Sequence, residues 1–170
     1  IGSSQLIERR KTITVAVKPG GVLADYVPFY LTPGTPMLLN IVTGRGGVQQ
    51  RRKAEIVVVV SSVDRLRECA CSVVFSDRHA AARLATLTDD PAILGTLDWP
   101  RFRARDFVRD LDDPDRFERY EAEVLVHSHV PLDAILGLAC YDDESEHSLR
   151  EAIANRGLSL PVKKMPRYFF

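Results

Sequence analysis

Short runs of valine and isoleucine, spread unevenly between helix-forming stretches, constrain the fold of this chain most strongly. Four runs bounded by charged or turn-forming residues predict short strands: Ile56–Val60, Val73–Phe75, Val124–Val126 and Leu136–Tyr141. Helical segments are predicted over Gln5–Lys11, Ala80–Leu87, Arg101–Asp110 and Ser145–Asn155. Because strands and helices do not alternate in a regular βαβ rhythm, the sequence predicts an α+β fold rather than a doubly wound nucleotide-binding fold.

The length and the cysteine content of the chain predict one domain in a reducing compartment. A chain of 170 residues can bury a substantial core without staples, and no repeat or linker divides it, so residues 1–170 are expected to form a single domain. Its three cysteines are odd in number and too sparse for a disulfide framework. No apolar stretch approaches the ~20 residues that cross a bilayer, and the first residues lack a signal-peptide pattern. We therefore expect a cytoplasmic protein that does not enter a membrane.

The cysteines and a histidine offer one candidate metal site. Cys69, Cys71, His79 and Cys140 carry side chains of the types that bind zinc. The single residue between Cys69 and Cys71 departs from the usual spacing of paired zinc ligands. Core or half-buried thiols are the favoured interpretation, and no metal is expected.

Basic residues are concentrated in the first third of a chain whose formal net charge is zero. Residues 1–53 contain eight Lys or Arg and two acids, whereas residues 54–150 contain 20 acids and 11 bases. A polyanion would therefore meet the first third, although two ordinary solvated surfaces would give the same pattern.

Several familiar catalytic and nucleotide-binding motifs are absent from the sequence. Thr43–Gly47 lacks the spacing and the following helix of a dinucleotide fingerprint, and we interpret it as a mobile basic loop. The chain contains no phosphate-binding Gly-Lys-Ser/Thr motif, no His-Glu-x-x-His motif and no Gly-x-Ser-x-Gly motif. Metalloprotease and ordinary serine hydrolase functions therefore have no support.

The segment from Gly20 to Tyr30 is too specialised for an ordinary strand. It places two glycines, two tyrosines, a phenylalanine and a proline within eleven residues, which indicates a segment that builds a site. Much later, Glu123 begins an apolar strand, and alternation places it on one face with Leu125 and His127. If the other face is core, Glu123 faces a cleft, although an exposed strand glutamate is the commoner outcome.

Four blocks of the sequence resemble the DarT family, the DNA ADP-ribosyltransferase toxins of DarT–DarG toxin–antitoxin systems. In chain order they are Ile7-Glu8-Arg9-Arg10, then Gly20 to Tyr30 with Pro36-Met37-Leu38, then Phe75-Ser76-Asp77-Arg78-His79, then Ala122-Glu123-Val124-Leu125-Val126. The tail Val162–Phe170, which ends in aromatic residues, also resembles the family's terminus. The resemblance spans essentially the whole chain in the family's order and spacing.

The resemblance implies an ADP-ribosyltransferase fold, in which helices surround a split, twisted β-sheet core and a cleft for NAD. It implies transfer of ADP-ribose from NAD onto a base of single-stranded DNA, with Glu123 as the catalytic glutamate. The family's arginine beside nicotinamide falls on Arg10, its cleft tyrosine on Tyr30, its methionine near the substrate on Met37 and its base-contacting histidine on His79. NAD is thus expected to contact Arg10, Tyr30 and Glu123, and DNA is expected to contact Met37 and His79.

The chemistry of these residue types fits the implied reaction. Breaking the bond between nicotinamide and ribose creates an oxocarbenium-like centre that the Glu123 carboxylate can stabilise while it orients a ribose hydroxyl. The Arg10 guanidinium would favour the NAD phosphates or the anionic form of the attacked base. His79 can shuttle a proton from the attacked ring nitrogen or hydrogen-bond the base, and base contact is favoured. Without the resemblance, Tyr30 and Met37 would equally suit ordinary core packing.

Two further stretches are predicted to meet DNA. The basic side chains of Arg45, Arg51, Arg52 and Lys53 are expected to line the path of the phosphodiester backbone, because they cluster in the basic first third. The segment Trp99–Tyr120 is expected to be the variable loop that ADP-ribosyltransferases use against their targets, with a solvated helix as the alternative.

The resemblance leaves the activity open between three hypotheses and implies one partner. The favoured hypothesis is a DNA-modifying enzyme that acts on thymine rather than guanine; the others are a degenerate, non-catalytic relative that binds DNA or antitoxin, and an NAD hydrolase. A DarG-type macrodomain antitoxin is the implied partner, and a monomer is expected. Family members also carry an N-terminal segment with a Tyr-His-Ile-Thr type motif whose histidine helps to hold NAD. No equivalent precedes the first block here, so part of the NAD pocket is expected to be missing from the given sequence.

Overall fold

A computed structural model of the protein describes residues 3–170. Its strands are β1 Tyr26–Tyr30, β2 Val58–Val60, β3 Val73–Ser76, β4 Leu87–Thr88, β5 Glu123–His127, β6 Gly137–Cys140 and β7 Val162–Lys164. Its α-helices are α1 Ser4–Arg10, α2 Pro36–Thr43, α3 Val63–Glu68, α4 Trp99–Ala104, α5 Arg116–Tyr120 and α6 Asp143–Ala154. Short 3₁₀ turns and loops connect these elements. The mixture of two sheets and peripheral helices confirms the predicted α+β class.

A four-stranded antiparallel sheet carries the candidate site. Its strand order is β1-β5-β3-β4, so β5 lies inside the sheet between β1 and β3. The register of β1 and β5 places Tyr30 opposite Glu123. Leu125 packs into one apolar cluster, whereas Val124 and Val126 pack into another on the opposite face. Because both faces of β5 are covered, three consecutive apolar residues stand between Glu123 and His127.

A smaller three-stranded sheet has the strand order β2-β6-β7. Strand β6 pairs with β2 in antiparallel and with β7 in parallel fashion, and α6 makes the crossover that a parallel pair requires. Phe169 near the end of the chain is fully buried against Leu38 and Ile41 of α2. The tail therefore contributes to the core beside α2, whose first turn also carries Met37.

The predicted helix over Ala80–Leu87 is wrong. Residues 80–84 form turns, and Leu87 begins β4, which pairs with β3. Ala80 and Ala81 are buried in an apolar cluster, and the Ala80 N–H donates to the Glu123 carboxylate. The pairing of Leu87 with β3 and the burial of Ala80 and Ala81 thus override the helix-forming composition of this segment.

The predicted helix over Arg101–Asp110 is found only in part. Helix α4 begins at Trp99, where Asp98 accepts a hydrogen bond from the Arg101 N–H, and it ends at Ala104. Arg105 follows with a left-handed φ of 53°, which stops the helix.

The helices predicted near Gln5–Lys11 and Ser145–Asn155 and the four predicted strands are confirmed, with ends shifted by a few residues.

The glycine pair of the Gly20–Tyr30 segment forms a tight turn in front of β1. Gly20 and Gly21 both have positive φ, at 92° and 84°. A Cβ at Gly21 would lie 2.4 Å from the Asp25 carboxylate, which itself accepts a hydrogen bond from the Val22 N–H at 2.8 Å. Only glycine fits this turn without strain. The turn fixes Leu23, whose carbonyl faces the candidate site.

Two global properties of the described part of the chain bear on the earlier expectations. Within residues 3–170, none of the helices combines the length and the apolar character that crossing a bilayer requires. Over the same residues, no three His, Cys, Asp or Glu side chains are grouped so that they could hold a metal ion. Cys140 is buried, while Cys69 and Cys71 are half-buried free thiols.

Candidate active site

Glu123 is a buried carboxylate fixed by contacts from three parts of the chain. It is 2% exposed. Its Oε1 accepts a hydrogen bond from the Ala80 N–H at 3.0 Å, and its Oε2 accepts one from Arg10 Nη1 at 3.1 Å. Its backbone N–H donates to Ser76 Oγ at 2.9 Å. Each carboxylate oxygen keeps one further lone pair, so Glu123 can still accept a hydrogen bond from a ribose hydroxyl.

Arg10 supplies the positive charge that balances Glu123. It is the last residue of α1, and its side chain is 12% exposed. Nη1 contacts the Glu123 carboxylate, while Nη2 donates to the Leu23 carbonyl at 3.4 Å, on the glycine turn. Arg9, the other arginine of the pair, is exposed. The structure therefore directs Arg10, and not Arg9, into the site.

His79 lies beside Glu123 without a hydrogen bond to it. Its Nδ1 accepts the Ala81 N–H at 3.0 Å and is 3.8 Å from Glu123 Oε1. Burial lowers the pKa of His79, and this effect exceeds the opposing attraction of the Glu123 carboxylate. We therefore assign a neutral imidazole with its proton on Nε2, because Nδ1 is already an acceptor. In this state His79 presents a hydrogen-bond donor to the site.

Tyr30 lies beside Glu123 on the neighbouring strand. Its position opposite Glu123 in the β1–β5 pair puts the two side chains on one face of the sheet. Burial raises the pKa of Tyr30, and the Glu123 and Glu121 carboxylates raise it further. The phenol is thus a neutral side chain that offers an apolar ring and a hydroxyl.

The structure adds two residues that sequence reasoning missed. Ser76 is fully buried, donates to the Arg78 carbonyl at 2.6 Å and accepts the Glu123 N–H, so it joins the end of β3 to the start of β5. Glu121 lies two residues before Glu123 and is only 9% exposed. The spacing of two acids just before an apolar strand was the available signal for Glu121, and for Ser76 it was its place in the matched block from Phe75 to His79.

Glu121 is held in an unfavourable environment for a carboxylate. Burial, and then the neighbouring Glu123 and Glu118 carboxylates, raise the pKa of Glu121 from 4.5 to about 7, although Arg109 opposes the rise. No hydrogen bond or ion pair to its carboxyl group exists among residues 3–170. Glu121 therefore changes its charge near neutral pH, unlike an ordinary glutamate.

We expect Glu121→Gln to stabilise the protein above neutral pH and to leave its stability unchanged in acid. Because the folded pKa of about 7 lies above the ordinary value of 4.5, the folded state holds its proton more tightly, and ionisation costs stability as pH rises between these values. The glutamine variant avoids this loss, which amounts to at most about 3 kcal/mol above pH 7. Denaturant unfolding at pH 5 and pH 8 measures the difference; an equal effect at both pH values would contradict it.

Of the predicted DNA-contacting residues, His79 belongs to this cluster, whereas Met37, Arg45, Arg51 and Arg52 lie outside it. Met37 is half-buried in the first turn of α2, where it packs against the core cluster that contains Phe169. Arg45 is exposed in a loop next to three glycines with positive φ. Arg51 and Arg52 are also exposed; Arg51 donates to Gln49 at 3.1 Å, and Arg52 pairs with Glu55. The described contacts leave these three guanidinium groups largely available to solvent and ligands.

The segment Trp99–Tyr120 is not one solvated helix. It contains α4 and α5 joined by an irregular stretch. The rings of Phe102 and Phe107 pack on the ring of Tyr120, with centroid distances of 5.0 Å and 5.2 Å respectively, and anchor the segment. Its arginines pair mainly with aspartates of the same segment, as Arg116 does with Asp110 at 3.0 Å. A cavity of about 150 Å³ lies between α4 and α5, and the cluster around Glu123 does not line it.

Comparison with known sequences identifies close relatives. A profile of the family described as "ssDNA thymidine ADP-ribosyltransferase, DarT" matches residues 1–170. A protein named DNA ADP-ribosyl transferase from Escherichia coli O127:H6 (strain E2348/69) is 41% identical over 170 residues, which are 100% of this chain and 78% of that protein. The similarity thus extends over every block on which the family resemblance rests.

Solved structures show the same fold. Thermus sp. 2.9 DarT in complex with ADP-ribosylated ssDNA superposes with a TM-score of 0.89 at 28% identity, covering 98% of this chain and 79% of that one. The same Thermus protein in complex with NAD+ gives a TM-score of 0.86 at 27% identity, covering 95% of this chain and 81% of that one. The predicted ADP-ribosyltransferase fold is therefore confirmed.

Proposed function

Because the chain belongs to the DarT family of DNA ADP-ribosyltransferases, we propose that it transfers ADP-ribose from NAD onto a base of single-stranded DNA, with thymine as the base. The observation that carries this proposal is the buried Glu123 carboxylate, which Arg10 and the Ala80 N–H hold beside His79 and Tyr30. The NAD and ssDNA complexes of the Thermus relative, at 27% and 28% identity, support the choice of donor and acceptor.

Each residue of the cluster has its own role in the proposed reaction. Glu123 stabilises positive charge on the ribose as nicotinamide leaves, and its free lone pairs orient a ribose hydroxyl. Burial makes this stabilisation strong, because few water molecules screen a carboxylate that is 2% exposed. Arg10 holds the carboxylate in place and offers its remaining N–H groups to an anionic part of the substrates. Tyr30 gives an apolar surface, and His79 donates from Nε2 to an acceptor atom of the base.

The test is an incubation of the chain with NAD labelled in its ADP-ribose part and with defined single-stranded oligonucleotides. We expect label on oligonucleotides that contain thymine and none on matched oligonucleotides in which cytosine replaces every thymine. The duplex form should react much more slowly, because a stacked and paired base must first be extruded. Label on guanine-only oligonucleotides would overturn the choice of base; free ADP-ribose alone would indicate an NAD hydrolase, and DNA binding without either product a non-catalytic relative.

The basic side chains of Arg45, Arg51, Arg52 and Lys53 are proposed to bind the DNA backbone. The three arginines are exposed, whereas Lys53 is half-buried and its Nζ donates to the Phe170 carbonyl. Replacing all four with glutamine should weaken single-stranded DNA binding and reduce the slope of log affinity against log salt by up to about three, since each phosphate contact contributes about 0.7. A fluorescence-anisotropy titration at several salt concentrations measures both quantities. The matched control replaces four other basic residues with glutamine and so removes the same charge; they are Arg67, Arg156, Lys163 and Lys164, all exposed. Equal losses of DNA affinity in both variants would contradict a localised DNA path.

The proposed function includes the partner and the assembly that the family relationship supports. We propose that a DarG-type macrodomain antitoxin counteracts the activity, that the protein acts as a monomer and that the reaction needs no metal. Each point has a direct measurement: reversal of the DNA label by a macrodomain antitoxin, the mass in solution from light scattering, and transfer in the presence of a chelator. Loss of transfer with the chelator would overturn the metal-free reaction.

A further inference from the structure

Arg105, at the C-terminal end of α4, has a backbone conformation that usually belongs to glycine. It is the C-cap residue of the helix, with a φ of 53°. Helices commonly end in this left-handed conformation with glycine, because a Cβ is strained there. The chain nevertheless carries the long side chain of arginine at this position. The contacts of that side chain therefore offset a strain that glycine would avoid.

The Arg105 side chain contacts the C-terminal tail. Its Nη2 donates to the Arg167 carbonyl, and its guanidinium group lies over the Phe170 ring, with 5.7 Å between Cζ and the ring centroid. Phe107 packs edge-to-face against the same ring, at a centroid distance of 6.0 Å. The end of α4 and the residues after it are thus joined to the end of the chain.

The same side chain covers Gly34, in the loop between β1 and α2. A Cβ at Gly34 would lie 2.8 Å from Arg105 Nε and 2.9 Å from Arg105 Cδ, so the arginine fits only because Gly34 has no side chain. Gly34 is buried, and it is not among the glycines with positive φ. Its backbone conformation therefore does not require glycine, whereas the close approach of Arg105 does.

Tyr120 contacts the same loop from the end of α5. Its hydroxyl donates to the Gly34 carbonyl at 2.9 Å and lies 3.5 Å from Thr32 Oγ1. Tyr120 is buried and stands three residues before Glu123 in the chain. Two side chains of the Trp99–Tyr120 segment, Arg105 and Tyr120, therefore meet at Gly34.

This loop connects two side chains that are expected to contact the substrates. It follows Tyr30, which pairs with Glu123 across the sheet and is expected to contact NAD. It ends at Thr35, whose hydroxyl accepts the Leu38 N–H at 3.1 Å as the N-cap of α2, and Met37 lies in the first turn of that helix. A shift of the loop would therefore move both expected substrate contacts relative to Glu123.

We propose that Arg105 is a positioning residue for the transfer reaction: it fixes the loop between β1 and α2, so that Tyr30 and Met37 hold NAD and DNA in register with Glu123. The assignment rests on the proposed function. Within residues 3–170 the contacts of the Glu123 carboxylate do not include Arg105, so an effect of Arg105 on the rate passes through the loop. Misplacement of a substrate by about 1 Å is enough to reduce a rate about 100-fold.

The first test is Arg105→Gly, which suits the backbone at φ 53° and removes only the side chain. We expect single-turnover transfer at saturating NAD and thymine-containing oligonucleotide to fall about 10- to 100-fold, and to fall more than the affinity for either substrate. The thermal midpoint should stay near that of the parent, because glycine relieves the strain. Arg105→Lys should recover part of the rate, since lysine can also donate to the Arg167 carbonyl. The control Arg67→Gln removes the same charge at an exposed position of α3 and should leave transfer unchanged.

Gly34→Ala tests the same contact from the side of the loop. The added methyl group would displace Arg105, so transfer should fall about as much as in Arg105→Gly. In the double variant the methyl group occupies the space that arginine has left, so the two losses should not multiply. Hydrogen–deuterium exchange of the amides in residues 31–35 should be faster than in the parent in both single variants, a measurement that does not depend on activity.

Three results would overturn the role of Arg105 and leave the proposed function intact. They are parent-like transfer in Arg105→Gly, losses that multiply in the double variant, and a loss confined to DNA affinity with a smaller salt slope, which would make Arg105 a direct phosphate contact. A parent chain that fails to label DNA would overturn the proposed function and the role in transfer together. Amide exchange in residues 31–35 would still decide whether Arg105 fixes the loop, and unchanged exchange in Arg105→Gly would contradict it.

Discussion

Glu123→Gln should abolish measurable transfer while the protein still folds. Glutamine occupies nearly the same volume and can still accept the Ala80 N–H at Oε1. It has no negative charge to stabilise the developing charge on ribose, and loss of one preorganised electrostatic contact of this kind costs about 100-fold or more in kcat. Single-turnover transfer from labelled NAD measures the loss, and near-parental turnover would remove the catalytic role from this carboxylate.

The same substitution has a structural cost that must be measured separately. Arg10 is only 12% exposed and would lose its counter-ion, and breaking a buried ion pair from one side costs about 3 to 5 kcal/mol. Circular dichroism and thermal unfolding should therefore show a native fold of lower stability. Glu151→Gln on α6 is the matched control, since it makes the same chemical change at an exposed residue that takes part in no ion pair among residues 3–170; it should leave both transfer and stability unchanged.

Arg10→Gln should reduce transfer and stability as much as Glu123→Gln does, and the effects of the two substitutions on stability should not add. The variant leaves the nearly inaccessible Glu123 charge without its Nη1 donor at 3.1 Å, and it also removes the contact to the Leu23 carbonyl. We expect transfer to fall about 100-fold or more and the free energy of unfolding at pH 7 to fall by about 3 to 5 kcal/mol.

A double-mutant cycle tests whether the pair acts as a unit. In the Arg10→Gln, Glu123→Gln double variant, neither buried charge remains unpaired, so its destabilisation should be smaller than the sum of the single variants by about 1 to 3 kcal/mol. Denaturant unfolding of all four proteins at pH 7 gives this coupling energy. The control is Arg9→Gln, because Arg9 precedes Arg10 but is exposed. Strict additivity would mean that the two charges do not stabilise each other.

The ion pair also explains how this fold tolerates an acid in its centre. The register of β1 and β5 would otherwise bury Glu123 against Tyr30 and the apolar residues that follow it. The glycine turn brings the Leu23 carbonyl to Arg10, and the buried turn after β3 brings the Ala80 N–H to Glu123. Three separate segments therefore stabilise the reactive carboxylate before any substrate binds, which is the preorganisation that electrostatic catalysis requires.

The sequence by itself determined the fold class and most strands, and it singled out Glu123 as the proposed catalytic glutamate. The Val and Ile runs that became β2, β3, β5 and β6 are local signals, and the helix over residues 143–154 has its own cap and ending. The four matched blocks gave the family, since they keep local residue patterns in a fixed order. Glu123 was singled out because its block matches the family's catalytic glutamate, whereas the strand pattern alone favoured an exposed side chain.

Only the tertiary structure decided how these residues meet. The segment Ala80–Leu87 has helix-forming residues but forms turns and the start of β4, because Leu87 pairs with β3 and Ala80 and Ala81 are buried in the core. The ionisation of Glu121 and the neutral state of His79 depend on burial and on charges distant in the chain, which no local pattern encodes. Secondary structure depends mainly on short-range periodicity, whereas a site is set by long-range contacts that exist only after the chain has packed.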